Sequence, residues 1–295
     1  MRVTVTGGAR FICSRIVGKL LEKGHEVVIV DREMPCGIDK SKVLFRIGDF
    51  RNIECLRESL SGTDIVYHLA EYHEDIMLNA IGTLNVLEAC RTTRPKKILY
   101  ASSFHVYDGL SENMVVNEET LPNIFHTGLF GSTKIMGEVL VRDLSIKYGI
   151  EYVILRLGPA YGFTHGLKES NNAVRSFIES GLRGEPIEVM GEGRRRCQYT
   201  FVDDLADGCI LALKKANETY NIISPDEVTT GEIAELLKRK YGFEVLYDAT
   251  REEGPSMPYI SPRKAMRELG WVTTPLEEGV HRTYLAIKEE HEHNQ

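Results

Sequence analysis

The spacing of apolar positions changes twice within the first 31 residues. Val3 and Val5 lie in a short β-type run, Gly7 and Gly8 make a turn, Phe11 to Glu22 carries apolar residues at helical spacing, and a second β-rich run, Val27 to Val30, ends at Asp31. This predicts a strand, a turn, a helix and a strand. In such a unit glycine lets the backbone approach a pyrophosphate at the helix N-terminus, where unpaired N–H groups and the helix dipole favour negative charge. The alternation then continues. Strands are expected over Val43 to Ile47, Asp64 to Ala70, Lys97 to Ser103, Glu151 to Leu157, within Gly184 to Gly193, and over Thr219 to Ile223. Helices are expected over Arg51 to Leu60, from Asn79, over Asn172 to Gly181, Leu205 to Lys215 capped by Asp203-Asp204, Thr229 to Tyr241 with Thr229 as cap, Ser261 to Trp271, and after Pro275 to Gly279. Disorder is expected only from Glu289 to Gln295.

Composition narrows the function classes. With 42% hydrophobic residues the chain can bury one large core or two modest ones. A balance of 36 basic against 43 acidic residues leaves a net charge of -7, which argues against nucleic acid as a partner; the one dense basic run, Arg194-Arg195-Arg196, is too short to reverse it. No apolar run reaches the length of a membrane span and no signal peptide precedes the first strand, so a cytoplasmic protein without membrane partners is expected. Six scattered cysteines without a Cys-x-x-Cys pair suit reduced thiols, and neither they nor the nine histidines show ligand spacing, so no metal is expected.

Motifs add chemistry. Thr6-Gly7-Gly8-Ala9-Arg10-Phe11-Ile12-Cys13 is followed by Asp64-Ile-Val-Tyr-His-Leu-Ala70, Asn79-Ala-Ile-Gly-Thr-Leu-Asn-Val-Leu-Glu-Ala89, Ser102-Ser-Phe-His-Val-Tyr107, Phe130-Gly-Ser-Thr-Lys134-Ile-Met-Gly-Glu138 and Lys264-Ala-Met-Arg-Glu-Leu-Gly-Trp271. In this order the chain, from residue 2 to about residue 288, resembles the extended short-chain dehydrogenase/reductase family of NAD-dependent nucleotide-sugar epimerases and dehydratases. The resemblance implies an α/β fold: a Rossmann-type doubly wound parallel sheet over residues 1–160, completed by segments near 196–224, with a smaller substrate-binding lobe mainly over 161–295. It implies NAD as cofactor, a nucleotide sugar as substrate and a homodimer built on the helix that opens at Asn79. Gly7, Arg10, Phe11, Ile12, Asp31, Asp49, Phe50, Leu69, Ala70 and Lys134 become the expected cofactor residues, and Ser103, Asn172 and Arg196 the substrate residues, Arg196 facing the diphosphate and Gln198 fitting a variant of that motif. Asp31 can accept from both ribose hydroxyls and repels a 2′-phosphate, favouring NAD over NADP, while Arg32 beside it acts in the opposite direction. Asp49 reads equally as a contact on the adenine side or as a cap of the helix after it.

The departures are as specific as the matches. Arg10 and Cys13 replace two fingerprint glycines, Glu71 stands where the family has a small residue, and only eight residues separate Ala70 from Asn79. The dehydratase branch carries an Asp-Glu pair where this chain has Phe104 and His105, which argues against elimination of water. The family's Tyr-x-x-x-Lys reads Phe130 to Lys134, so the phenol that exchanges the sugar proton is missing while the ribose-binding lysine is kept. Catalysis would rest on Ser103, Lys134 and whatever serves at position 130. Three readings stay open: another group (Tyr107, His105, Tyr72 or Tyr161) is the base; the protein binds dinucleotide or sugar nucleotide without chemistry; or it is an attenuated copy of an ordinary enzyme. The first expectation is an epimerase similar to the UDP-glucose 4-epimerases, acting through a 4-keto sugar; the alternative is an inactive binding or regulatory protein.

Overall fold

Strands whose two faces are both apolar pack between two layers of helices, because neither face tolerates water. The computed structural model describes residues 1–9, 11–34, 38–71, 75–164 and 172–293. In chain order the long elements are β1 (Arg2–Thr6), α1 (Phe11–Glu22), β2 (Glu26–Asp31), β3 (Val43–Ile47), α2 (Ile53–Leu60), β4 (Ile65–His68), α3 (Ile76–Thr93), β5 (Lys97–Ser103), α4 (Gly128–Tyr148) and β6 (Glu151–Leu157). After these come α5 (Ala173–Leu182), β7 (Ile187–Met190), β8 (Arg196–Cys197), α6 (Val202–Leu211), β9 (Glu218–Ile222), α7 (Thr230–Tyr241), β10 (Val245–Asp248), α8 (Arg263–Leu269) and α9 (Leu276–His293).

Seven strands form one parallel sheet in the order β9-β6-β5-β4-β1-β2-β3. The chain moves outward one way from β1 and the other way from β4, so the crevice at their C-terminal ends is the switch point where a doubly wound sheet binds ligands. Helices α1 and α6 close one face over Val3, Val5, Ile29 and Leu155; α2, α3 and α4 close the other over Val30, Val66 and Ile98. A third core lies beyond the sheet, where α5, α7 and α9 gather Phe177, Ile233, Leu237 and Val280 over the parallel pair β7 and β10.

Several local expectations shift. Asp203 and Asp204 do not cap α6; they lie in its first turn, where their charge suits the helix dipole, and Asp204 accepts from the backbone N–H and hydroxyl of Thr274 at 2.6 and 2.8 Å. Asn52, not Asp49, caps α2, accepting from the N–H groups of Glu54 and Cys55. The helix expected from Asn79 begins three residues earlier, where Asp75 accepts from Leu78 N–H. Thr229 does cap α7, in a reciprocal box with Glu232. The tail expected to be disordered from Glu289 is helical to His293, because α9 is anchored upstream by buried Val280, Thr283 and Ile287.

Candidate active site

The turn after β1 is held by backbone contacts that only glycine permits. Gly7 has a φ of 77°, and a Cβ there would lie 2.6 Å from Ala70 Cα and 3.0 Å from the carbonyl carbon of Leu69. The turn therefore sits directly on the end of β4. Asp31, buried at the end of β2, ties it down from the other side: its carboxylate accepts from Ala9 N–H at 3.0 Å and Arg32 N–H at 2.7 Å. Phe11 is buried at the start of α1 with Ile12 half-buried beside it, and Cys13 packs into the sheet core, so the thiol in place of the third glycine is absorbed by packing. Arg10 and Tyr72 lie outside the described residues.

On the rim, Asp49 accepts from the Arg51 guanidinium at 2.5 Å and from Arg32 at 3.2 Å. The Arg51 hydrogen bond, opposed by partial burial and aided by the nearby guanidinium charges, holds its carboxyl well below the usual range. Arg32 is thus turned toward Asp49. The Phe50 side chain, 2% exposed, packs in the core with Leu56, Val66 and Leu78, so only its backbone can border the crevice.

Lys134 is the buried centre of the site. Its ammonium donates to Ala101 O at 2.9 Å and pairs with Glu71 at 2.7 Å. Burial opposes the charge, yet Glu71, with Tyr100, outweighs it and the pKa is raised. The Phe130 ring centroid lies 5.4 Å from the ammonium, one helical turn away on the same face of α4. Ser103 closes β5, and its Oγ accepts from His105 N–H at 3.3 Å, capping a short 3₁₀ turn over Phe104–Tyr107. Both the capping role and an outward donor role are open to that hydroxyl, since an acceptor oxygen still has its hydrogen to give. Gly131 lets α4 press onto this turn, because a Cβ there would meet His105 O at 2.5 Å.

The four expected substitutes for the phenol now separate. Tyr107 is buried: its hydroxyl accepts from Arg156 at 2.7 Å and faces Asn117 O and Asn221 Oδ1, each at 2.9 Å, and burial raises its pKa. Tyr161 packs under α9 against Phe201 and Gly279, with its pKa likewise raised by burial. Tyr72 is outside the described residues. Of the three described candidates, His105 stands beside Phe130, its ring edge-on at 5.3 Å and 87°.

A buried polar network supports this corner. Ser102 donates to Glu138 at 2.5 Å, Arg156 grips the same carboxylate with two bonds of 2.9 and 2.8 Å, and Arg156 reaches on to Tyr107. Beneath the crevice, His68 bridges Thr6 and Thr83 at 2.8 and 3.0 Å; burial, with Lys134 nearby, pushes its pKa down to about 3. The motif strings contain Glu138 and Tyr107, and Arg156 lies in the strand expected over Glu151 to Leu157, but nothing in them says that the three meet.

The substrate-side residues divide. Asn172 caps α5 and borders a cavity of about 700 Å³ with Phe177, Arg195, Arg251 and Glu253. Arg196 is directed elsewhere, pairing with Glu227 at 3.5 Å and donating to Glu112 O at 3.1 Å. Neighbours along an extended chain face opposite ways, so if one of these arginines faces the cavity the other cannot, and the structure brings Arg195 there. Gln198 is fully buried, bonding Ser224 O, Ile260 O and Ile260 N–H as a strut between loops. Among the described residues, Ser103, Phe130 and Lys134 do not line this cavity.

The glycine cradle, the acidic end of β2 and a buried ammonium that, among the described residues, commits two of its three N–H groups fit a dinucleotide with its ribose hydroxyls. The chain belongs to the NAD-dependent epimerase/dehydratase family, whose model matches residues 3–222. It is 29% identical to a putative UDP-glucose 4-epimerase of Methanocaldococcus jannaschii, over 95% of this chain and 96% of that one. It is 28% identical to UDP-glucuronic acid decarboxylase 1 of Xenopus tropicalis, over 99% of this chain and 73% of that protein. Among solved structures it superposes on the UDP-glucose 4-epimerase of Thermotoga maritima with UDP-glucose at a TM-score of 0.88 and 28% identity, covering 98% and 99% of the two chains.

Proposed function

We propose that the protein is a nucleotide-sugar 4-epimerase of the UDP-glucose 4-epimerase type. The observation that carries this reading is the buried Lys134 beside Ser103's strand, with Phe104 and His105 rather than a carboxylate pair on the following turn. When bound, NAD supplies the hydride acceptor and donor for a sugar carbinol. Gly7 gives its backbone room, Asp31 accepts from the adenosine ribose, and Lys134 donates an N–H to the nicotinamide ribose. Ser103 orients the sugar hydroxyl by donating to it, and Asn172 and Arg195 hold the nucleotide diphosphate in the outer cavity.

The test is incubation with NAD and UDP-glucose, UDP-galactose or UDP-glucuronate, following products by chromatography. Interconversion of the first two at a measurable rate is expected. Release of a pentose nucleotide from UDP-glucuronate would instead place the chain with the decarboxylases, and no conversion of any sugar would defeat the reading. Phe130 favours a second reading, a binder without turnover; such a protein would never produce NADH absorbance with any of the three.

A homodimer is part of the proposal. Helices α3 and α4 pack side by side and expose Ile81, Leu84, Met136 and Val139, an apolar face that a second copy would cover. Sedimentation at twice the chain mass is expected, reverting to the monomer in Leu84→Lys.

A further inference from the structure

Position 130 has lost its phenol, but the space around it has not lost every proton acceptor. His105 follows Ser103 by two residues on the capped turn, and its ring meets the Phe130 ring edge-on. Its Nδ1 lies 2.6 Å from Asp108 Oδ2. The pairing follows from the turn, because residues three apart eclipse one another in a 3₁₀ helix. A carboxylate on Nδ1 fixes the tautomer that leaves Nε2 with its lone pair, and it stabilises the imidazolium once a proton arrives. Among the described residues nothing hydrogen-bonds Nε2. Among the described residues, the groups packed on the imidazole are Asp108, the charged one, the Phe104 ring at 4.0 Å and the Phe130 ring. Among the described residues Glu71 is also at the site, but its carboxylate is engaged by the Lys134 ammonium on the β4 side.

We propose that His105, oriented by Asp108, is the general base that replaces the missing phenol, taking the proton of the sugar hydroxyl that Ser103 orients. The O–H proton moves to Nε2 as the carbinol carbon is oxidised to a ketone, its hydrogen leaving as hydride to the acceptor that bound NAD would supply. When the hydride returns to the opposite face, the proton returns from Nε2 to the same oxygen, so neither proton nor hydride is consumed. This rests on the epimerase reading above and adds to it the identity of the base.

The experiment compares the full chain with His105→Gln, Asp108→Asn, and His105→Gln combined with Phe130→Tyr, measuring kcat and kcat/KM for UDP-glucose against pH with NAD present. A positioned base is worth about 10² to 10⁴ in rate. His105→Gln is expected to lose that factor in kcat with little change in KM, and to lose the acid limb of the kcat/KM profile, since the imidazole must be neutral to act. Restoring the phenol in the double variant should recover at least about tenfold. A His105→Gln enzyme within threefold of the parent, with its acid limb intact, would overturn the proposal. Ring-nitrogen NMR of the labelled parent protein gives a readout that needs no turnover: the His105 Nε2 signal should move on adding UDP-glucose with NAD and stay put with UDP and NAD. If the parent converts no sugar nucleotide, the function reading has failed by itself. A moving Nε2 signal then still supports the placement of His105 on the sugar, and a stationary one refutes it.

Discussion

The floor of the crevice and its proton-transfer corner follow the family pattern to different degrees. On the floor, Gly7, Asp31 and Lys134 hold their motif positions and are locked by contacts that leave little choice: backbone against Gly7, two N–H groups on Asp31, a carbonyl and a carboxylate on Lys134. In the corner, Phe130 stands for the tyrosine and a His105–Asp108 pair has come within ring contact of it. The difference teaches that the floor keeps the few contacts made by Gly7, Asp31 and Lys134 although Arg10, Cys13 and Glu71 depart from the pattern around them, whereas a proton acceptor is defined by its reach and can be supplied from another element.

That contrast can be broken most forcefully in the support under the corner. Arg156→Met leaves Glu138 as a buried charge without its bidentate partner, and removing one member of such a pair costs about 3–5 kcal/mol. Urea unfolding of Arg156→Met should show that loss, while the double change Arg156→Met with Glu138→Leu should regain most of it; a single variant as stable as the parent would show that the network does not support the corner.

The floor carries a pH signature of smaller size. His68 is held neutral, with its pKa driven by burial to about 3 against 6.5 in the unfolded chain. Below 6.5 the unfolded chain therefore binds a proton that the folded one refuses, so stability is full above that pH and falls as the pH drops toward 3. The slope for one proton is about 1.4 kcal/mol per pH unit. Unfolding free energies measured at pH 7, 6 and 5 should converge between the parent and His68→Gln as the pH falls; parallel lines would mean that His68 is not held neutral.

The smallest expected effect tests where floor and corner meet. Glu71 holds one N–H of Lys134 that a ribose could use. Glu71→Gln removes the charge and loosens that hold, and NAD affinity should rise roughly threefold to tenfold, about 1 kcal/mol. Calorimetric titration would read it directly, and weaker binding would instead make Glu71 a part of the cofactor site.

Much of this architecture was readable as a line of letters. The switch of apolar period at Gly7, the closing Asp31, and the strands ending at Ser103 and Leu157 are local properties, written in neighbouring residues. The motif order gave Lys134 its place because positions four apart share a helix face whatever surrounds them. Asp49 reads equally as an adenine-side contact or as the cap of α2; the cap is Asn52, and the Asp49 carboxylate is taken by two arginines, one of them from the end of β2.

What the chain by itself determined is therefore the parallel sheet, the crevice at its switch point and the motif positions of Gly7, Asp31 and Lys134, because hydrophobic period, turn glycines and caps act over a few positions. Only the tertiary structure decided which of two adjacent arginines faces the outer cavity, that Glu71 meets Lys134, and that His105 rather than Tyr107 or Tyr161 stands beside Phe130. Those outcomes depend on strands and helices from distant parts of the chain arriving at one place, and distances across a fold are not encoded in the spacing of residues along it.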